Sequence, residues 1–107
     1  MDINGKFMIK IARITVDSNR LEEYKKILKE EIESSLSLEE DVYVLYPVWD
    51  NENPDRFTIL EVYKNQEAYE KHCRTPHLRK YFAETEGMVK SLEITDATPL
   101  IDKIWMK

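Results

Sequence analysis

The 107-residue sequence predicts a single α+β domain over residues 1–107, with the element order β-α-β-β-α-β and an antiparallel sheet. Three observations carry this prediction. Four apolar runs read as strands, one long segment repeats its apolar residues at helical spacing, and a second segment carries two helix-start signals in close succession.

The first run, "KFMIKIARITV", is rich in β-branched residues and reads as a strand. "DSNRLEEYKKILKEEIESSL" follows, with Leu21, Tyr24, Leu28 and Ile32 on one helical face. Asn19 with Glu22 three residues on predicts a capping box, and the Lys and Glu run between the apolar positions reads as a solvated face. "VYVLYPVW" is the second strand, and Pro47 within it implies an edge, a bulge or an end, because proline cannot donate to a ladder. "DNENPD" is a polar turn, so "RFTILEVY" returns as the antiparallel partner. Asn65 predicts the cap of a short helix "QEAYEKHC". Thr75 and Pro76 restart a second one, since threonine suits the N-cap and proline the first helical position. "MVKSLEIT" makes a fourth strand and "LIDKIWM" a terminal one.

This order is the split βαβ, ferredoxin-like pattern, which places both helical segments on one face of the sheet. In the first strand Phe7, Ile9 and Ile11 point one way, and Met8, Ala12, Ile14 and Val16 the other. Both faces are therefore largely apolar. A chain of this length has no third layer to supply, so a second copy is expected to cover the free face in a two-fold homodimer.

Composition narrows the function. With 16 basic and 21 acidic residues the net charge is −5, which argues against nucleic acid, whose binding depends on neutralising phosphates. The apolar runs are too short to span a bilayer, and "MDINGKFMIKI" has no signal-peptide pattern. A lone Cys73 forms no internal disulfide, which suits the cytoplasm.

The stretch "YKNQEAYEKHCRTPHLRKYF" holds both histidines and the only cysteine. As metal ligands His72, Cys73 and His77 are poorly spaced. Adjacent helical side chains diverge, five residues is not a helical repeat, and Pro76 interrupts the helix between them. No zinc signature is present, so no metal is expected. Cys73 reads as a buried structural thiol and His77 as surface or structural. His72 shares a stripe with Ala68, Tyr69 and Cys73, and Leu78, Tyr81 and Phe82 form another. Two readings of His72 stand side by side: a hydrogen-bonded core histidine, or a base at the mouth of an aromatic cavity.

The run "DNENPDRFTILEVYKNQEAYEKHCRTPHLRKYF" resembles the antibiotic biosynthesis monooxygenase family, small dimeric α+β barrel proteins that include quinol and anthrone monooxygenases. The resemblance extends from about Met8 to Trp105. The family's motif of turn, strand and double helix falls on Asp50, Pro54, Phe57, Glu61, Tyr63, Ala68, His72, Thr75, His77 and Leu78. The family's Glu-x-Gly-Cys before the second strand is replaced here by "EEDVYVLY", and Tyr63 stands where a tryptophan is common. Heme-degrading relatives use an Asn, Trp and His set. His72 and Phe82 occupy two of those positions here, so heme degradation is not implied.

The resemblance implies a cofactor-independent monooxygenase whose electron-rich aromatic substrate is deprotonated and itself reduces O2, with no metal or flavin. It makes His72 the expected base or oxyanion partner. The expected substrate-binding residues are Arg13, Tyr46, Trp49, Tyr69, Tyr81 and Phe82, with Tyr43 a further wall. Two other functions share the same pocket: an isomerase or other proton-transfer enzyme acting on a small carbonyl compound, and a non-enzymatic dimer that binds a small ligand.

Overall fold

A computed structural model describes residues 7–101. Four strands, β1 (Met8–Val16), β2 (Val42–Trp49), β3 (Arg56–Tyr63) and β4 (Val89–Ala97), form one antiparallel sheet in the order β2-β3-β1-β4. Three helices, α1 (Leu21–Leu38), α2 (Gln66–Cys73) and α3 (Pro76–Thr85), pack on one face. This is the ferredoxin-like arrangement. Of the expected terminal strand over 100–106, residues 102–106 lie outside the described residues.

Register decides which side chains face the helices. Ala12 opposes Ile59 and Ile94, and Ile14 opposes Phe57 and Leu92, so alternate residues of three strands supply the floor of the helix-side core. Val16, Tyr24, Leu28, Ile32, Leu45, Tyr63, Tyr81 and Met88 complete that core. Tyr24 and Tyr81 hydrogen-bond to each other there at 2.6 Å, because a buried hydroxyl needs a partner. Pro47 sits on β2, an edge strand, and the ladder shifts register between Val42 and Val44. The opposite face carries a smaller cluster, Ile9 and Val62 with Phe7, Tyr43 and Val44 around them.

Two local expectations need correction. The start of α1 is not an Asn19–Glu22 capping box. Asp17 accepts from the Asn19 amide, a 3-10 turn covers Ser18–Arg20, and the Arg20 guanidinium pairs with Glu23 at 3.0 Å. The aspartate, two residues earlier, reaches the free amide first and moves the cap upstream. The charged face of α1 is not wholly solvated either. Tyr24, Leu28, Glu31, Ile32 and Ser35 form its buried stripe, and Glu31 accepts a hydrogen bond from Ser35 Oγ at 2.5 Å.

The caps of the short helices follow the sequence. Asn65 accepts from the Ala68 amide at 2.8 Å, and Thr75 from the Leu78 amide at 3.3 Å with Pro76 directly after it. At the hairpin turn Asp50 Oδ1 accepts from the amides of Glu52 and Asn53.

Candidate functional site

Between the helical layer and the sheet lies a cavity, part of it open to solvent. Its floor is Ala12, Ile14 and Ile59, and its walls include Tyr63, Tyr69, Tyr81 and Phe82. Leu92 and Ile94 of the edge strand β4 also line it, and both are about half exposed. Beside the tyrosines, Glu31, Glu61, His72 and Cys73 break this apolar lining.

The break between α2 and α3 shapes the polar corner. Thr75 caps α3 with its hydroxyl oxygen while the same hydroxyl donates to the His72 carbonyl at 2.8 Å, and the Thr75 amide reaches that carbonyl too. The chain turns here, so two histidines that a continuous helix would separate approach to 6.5 Å between ring centroids. Glu39, the residue after α1, receives both: its Oε2 lies 2.9 Å from His72 Nδ1 and 2.6 Å from His77 Nε2. Burial pushes the Glu39 carboxyl up, but the hydrogen bonds from His77 and His72 outweigh it and hold the group below the ordinary carboxylate value. Ionised Glu39 can only accept. Neutral His72 is thus fixed in the tautomer with Nδ1–H, leaving Nε2 as a lone pair.

Tyr63 donates to Glu61 at 2.5 Å, and its ring lies 5.3 Å from that of His72. Burial pushes the Glu61 carboxyl above its usual value, only partly offset by the Tyr63 hydroxyl. Tyr69, under the Lys10 ammonium at 4.4 Å, is pushed up to about 12 by burial and by the neighbouring Cys73. The site therefore combines an oriented imidazole, a carboxyl biased toward its neutral form and phenols held protonated.

The model of the antibiotic biosynthesis monooxygenases matches residues 7–84. A crystal structure named for the same family, from Bacteroides thetaiotaomicron, is 50% identical, with 95% of this chain and 97% of that one covered and a TM-score of 0.93. The chain belongs to the antibiotic biosynthesis monooxygenase family. A monooxygenase-named structure from Lactobacillus acidophilus is 29% identical with a TM-score of 0.84; the match covers 89% of this chain but 45% of that protein. One from Nitrosomonas europaea shares the fold at 18% identity, with 94% and 96% of the two chains covered and a TM-score of 0.84. No curated protein sequence matches.

Within this family member, the residues singled out in the sequence fall into three places. His72, Tyr69, Tyr81 and Phe82 line the cavity. Trp49 shares that side of the sheet but occupies a separate groove with Lys25, Pro47 and Phe57, where the Lys25 ammonium lies 4.0 Å from its ring. Arg13 and Tyr46 do not reach the cavity. Arg13 opposes Thr58 and Glu93, and Tyr46 opposes Leu60, all on the sheet's other face. Tyr43 stacks on Phe7 there as well. Strand parity separates them, because neighbouring strand residues point to opposite faces.

Cys73 is an exposed thiol at the cavity, not a buried structural one; it ends α2, where the helix leaves the core. The spacing argument took the break at Pro76 to keep His72 and His77 apart, whereas the turn at Thr75 brings the two short helices round so that both rings meet at Glu39. Sequence reasoning missed Glu31, Glu39 and Glu61 as site residues. Glu31 and Glu61 did carry a signal, Glu31 lying on the buried stripe of α1 and Glu61 at the inward parity of β3 between Ile59 and Tyr63. Glu39 carried none, since only the packing of α1 against α3 delivers it.

Proposed function

We propose that this protein is a cofactor-independent monooxygenase acting on a quinol-like or polyphenolic small molecule with O2. The observation that carries the reading is His72, its Nδ1 held by Glu39, set in the wall of a cavity lined mostly by apolar and aromatic side chains. His72 Nε2 accepts the proton of an acidic C–H or O–H, and the substrate becomes an electron-rich anion. That anion reduces O2, and a carbon–oxygen bond forms to give a peroxide. The peroxide loses water, so a methylene carbon and O2 yield a carbonyl and H2O. Apolar walls keep water from the anion, and the rings of Tyr69, Tyr81 and Phe82 flank a planar substrate.

The working unit is a homodimer of this one domain, paired through the sheet face opposite the helices. Leu60 and Val48 on that face are 42% and 45% exposed, an apolar surface with no helix over it. A cytoplasmic setting agrees with an exposed thiol and no disulfide partner. Among the described residues no helix is long and apolar enough to cross a membrane.

A second reading, proton transfer on a small carbonyl compound, draws on Glu61, a buried carboxyl raised above its usual value that lines the same cavity as the His72 base. Oxygen uptake separates the two. Purified protein with reduced naphthoquinols and anthrones consumes O2 above the autoxidation rate, and His72→Ala loses this. No protein-dependent uptake with any of these compounds sinks the monooxygenase reading.

A further inference from the structure

Glu31 of α1, His72 at the end of α2 and His77 at the start of α3 offer one carboxylate oxygen and two imidazole nitrogens, all within 4.8 Å of one another. Glu31 and His72 are buried and His77 is half-buried. Glu39 takes one N–H from each ring, so the opposite nitrogen of each neutral imidazole keeps its lone pair. A metal-bound histidine is oriented in the same way, donating its other N–H to a carboxylate.

We propose that Glu31, His72 and His77 form a binding site for one divalent first-row transition ion per chain, of the Zn2+ or Co2+ kind, with Glu39 as the outer carboxylate. Two nitrogens and one oxygen suit these ions, whereas Mg2+ and Ca2+ favour all-oxygen sites. Ligand atoms around a tetrahedral zinc lie roughly 3.4 Å apart for metal–ligand distances near 2.1 Å, so the cluster closes by side-chain rotations of about an ångström. Three protein ligands leave a fourth position, and both Glu31 and His72 line the cavity. Metal occupancy consumes a His72 lone pair, so the metal-bound and proton-accepting states exclude each other. That consequence rests on the proposed function; the binding itself does not.

The test is titration of chelator-stripped protein with Co2+, followed by its visible absorption, and with Zn2+ by calorimetry against a competing chelator. One equivalent is expected per chain, with intense low-symmetry Co2+ bands and no thiolate charge-transfer band. His77→Asn and Glu31→Gln, each checked for native circular dichroism, weaken binding at least about 100-fold, and Glu39→Gln weakens it about 10- to 100-fold. Glu31→Gln can still accept from Ser35, and the circular dichroism check shows for each variant whether the fold is kept. No binding by the native chain, binding unchanged in both variants, or binding abolished by Cys73→Ser would each overturn the proposal.

Discussion

His72 Nδ1 lies 2.9 Å from Glu39 Oε2, although 33 residues separate the two in sequence. The same oxygen accepts from His77 at 2.6 Å. One carboxylate therefore ties the end of α1 to both short helices and fixes the imidazole that faces the cavity.

Replacing Glu39 tests both roles. Glu39→Ala leaves the buried Nδ1–H of His72 without its acceptor, an expected loss of about 1–3 kcal/mol in urea unfolding. Glu39→Gln keeps an acceptor oxygen and loses only the charge, so it costs less. In the oxygen-uptake assay Glu39→Gln lowers kcat while KM moves little, because the group positions the base without lining the cavity. A kcat equal to that of the native protein would refute the positioning role.

The buried pair Tyr24 and Tyr81 predicts non-additivity. Phenylalanine at either position strands the other hydroxyl, at about 1–3 kcal/mol. The double replacement leaves no buried hydroxyl to satisfy and costs less than the sum of the singles. A double-mutant cycle in denaturant reads this directly, and strict additivity would contradict the observed 2.6 Å bond.

Glu61 gives a pH-dependent expectation of opposite sign to most carboxylates. Burial raises its carboxyl in the fold, so the favourable neutral form is fully present below the unfolded value near 4.3. That contribution is lost as pH rises through the raised folded value. Glu61→Gln still accepts from Tyr63 and removes the charge. It should therefore stabilise the protein at pH 7, by on the order of 1 kcal/mol. The gain should vanish below about pH 4. A variant that is less stable at pH 7 would show the charge to be favourable there.

The free sheet face predicts the oligomer. Leu60→Arg places a charge at the centre of that face, opposite Tyr46 on β2 and Ile11 on β1. Sedimentation should then show the native chain as a dimer at micromolar concentration and the variant as a monomer with unchanged circular dichroism. A native chain that sediments as a monomer removes the dimer.

The sequence by itself determined the element order, the caps at Asn65 and Thr75 and the family motif that singled out His72. These are local properties, set by the 3.6 and 2.0 periods and by hydrogen bonds within a few residues. Even locally, competition could mislead, as when Asp17 displaced Asn19 at the start of α1. Tertiary structure alone decided which aromatics reach the cavity: Tyr69, Tyr81 and Phe82 do, Trp49 lies in its own groove, and Arg13 and Tyr46 point away. It also brought Glu39 to the two histidines and Glu31 beside them. Such meetings depend on register and on how α1 docks against α3, and a buried carboxylate finds its donors wherever packing delivers them, not where the chain numbers suggest.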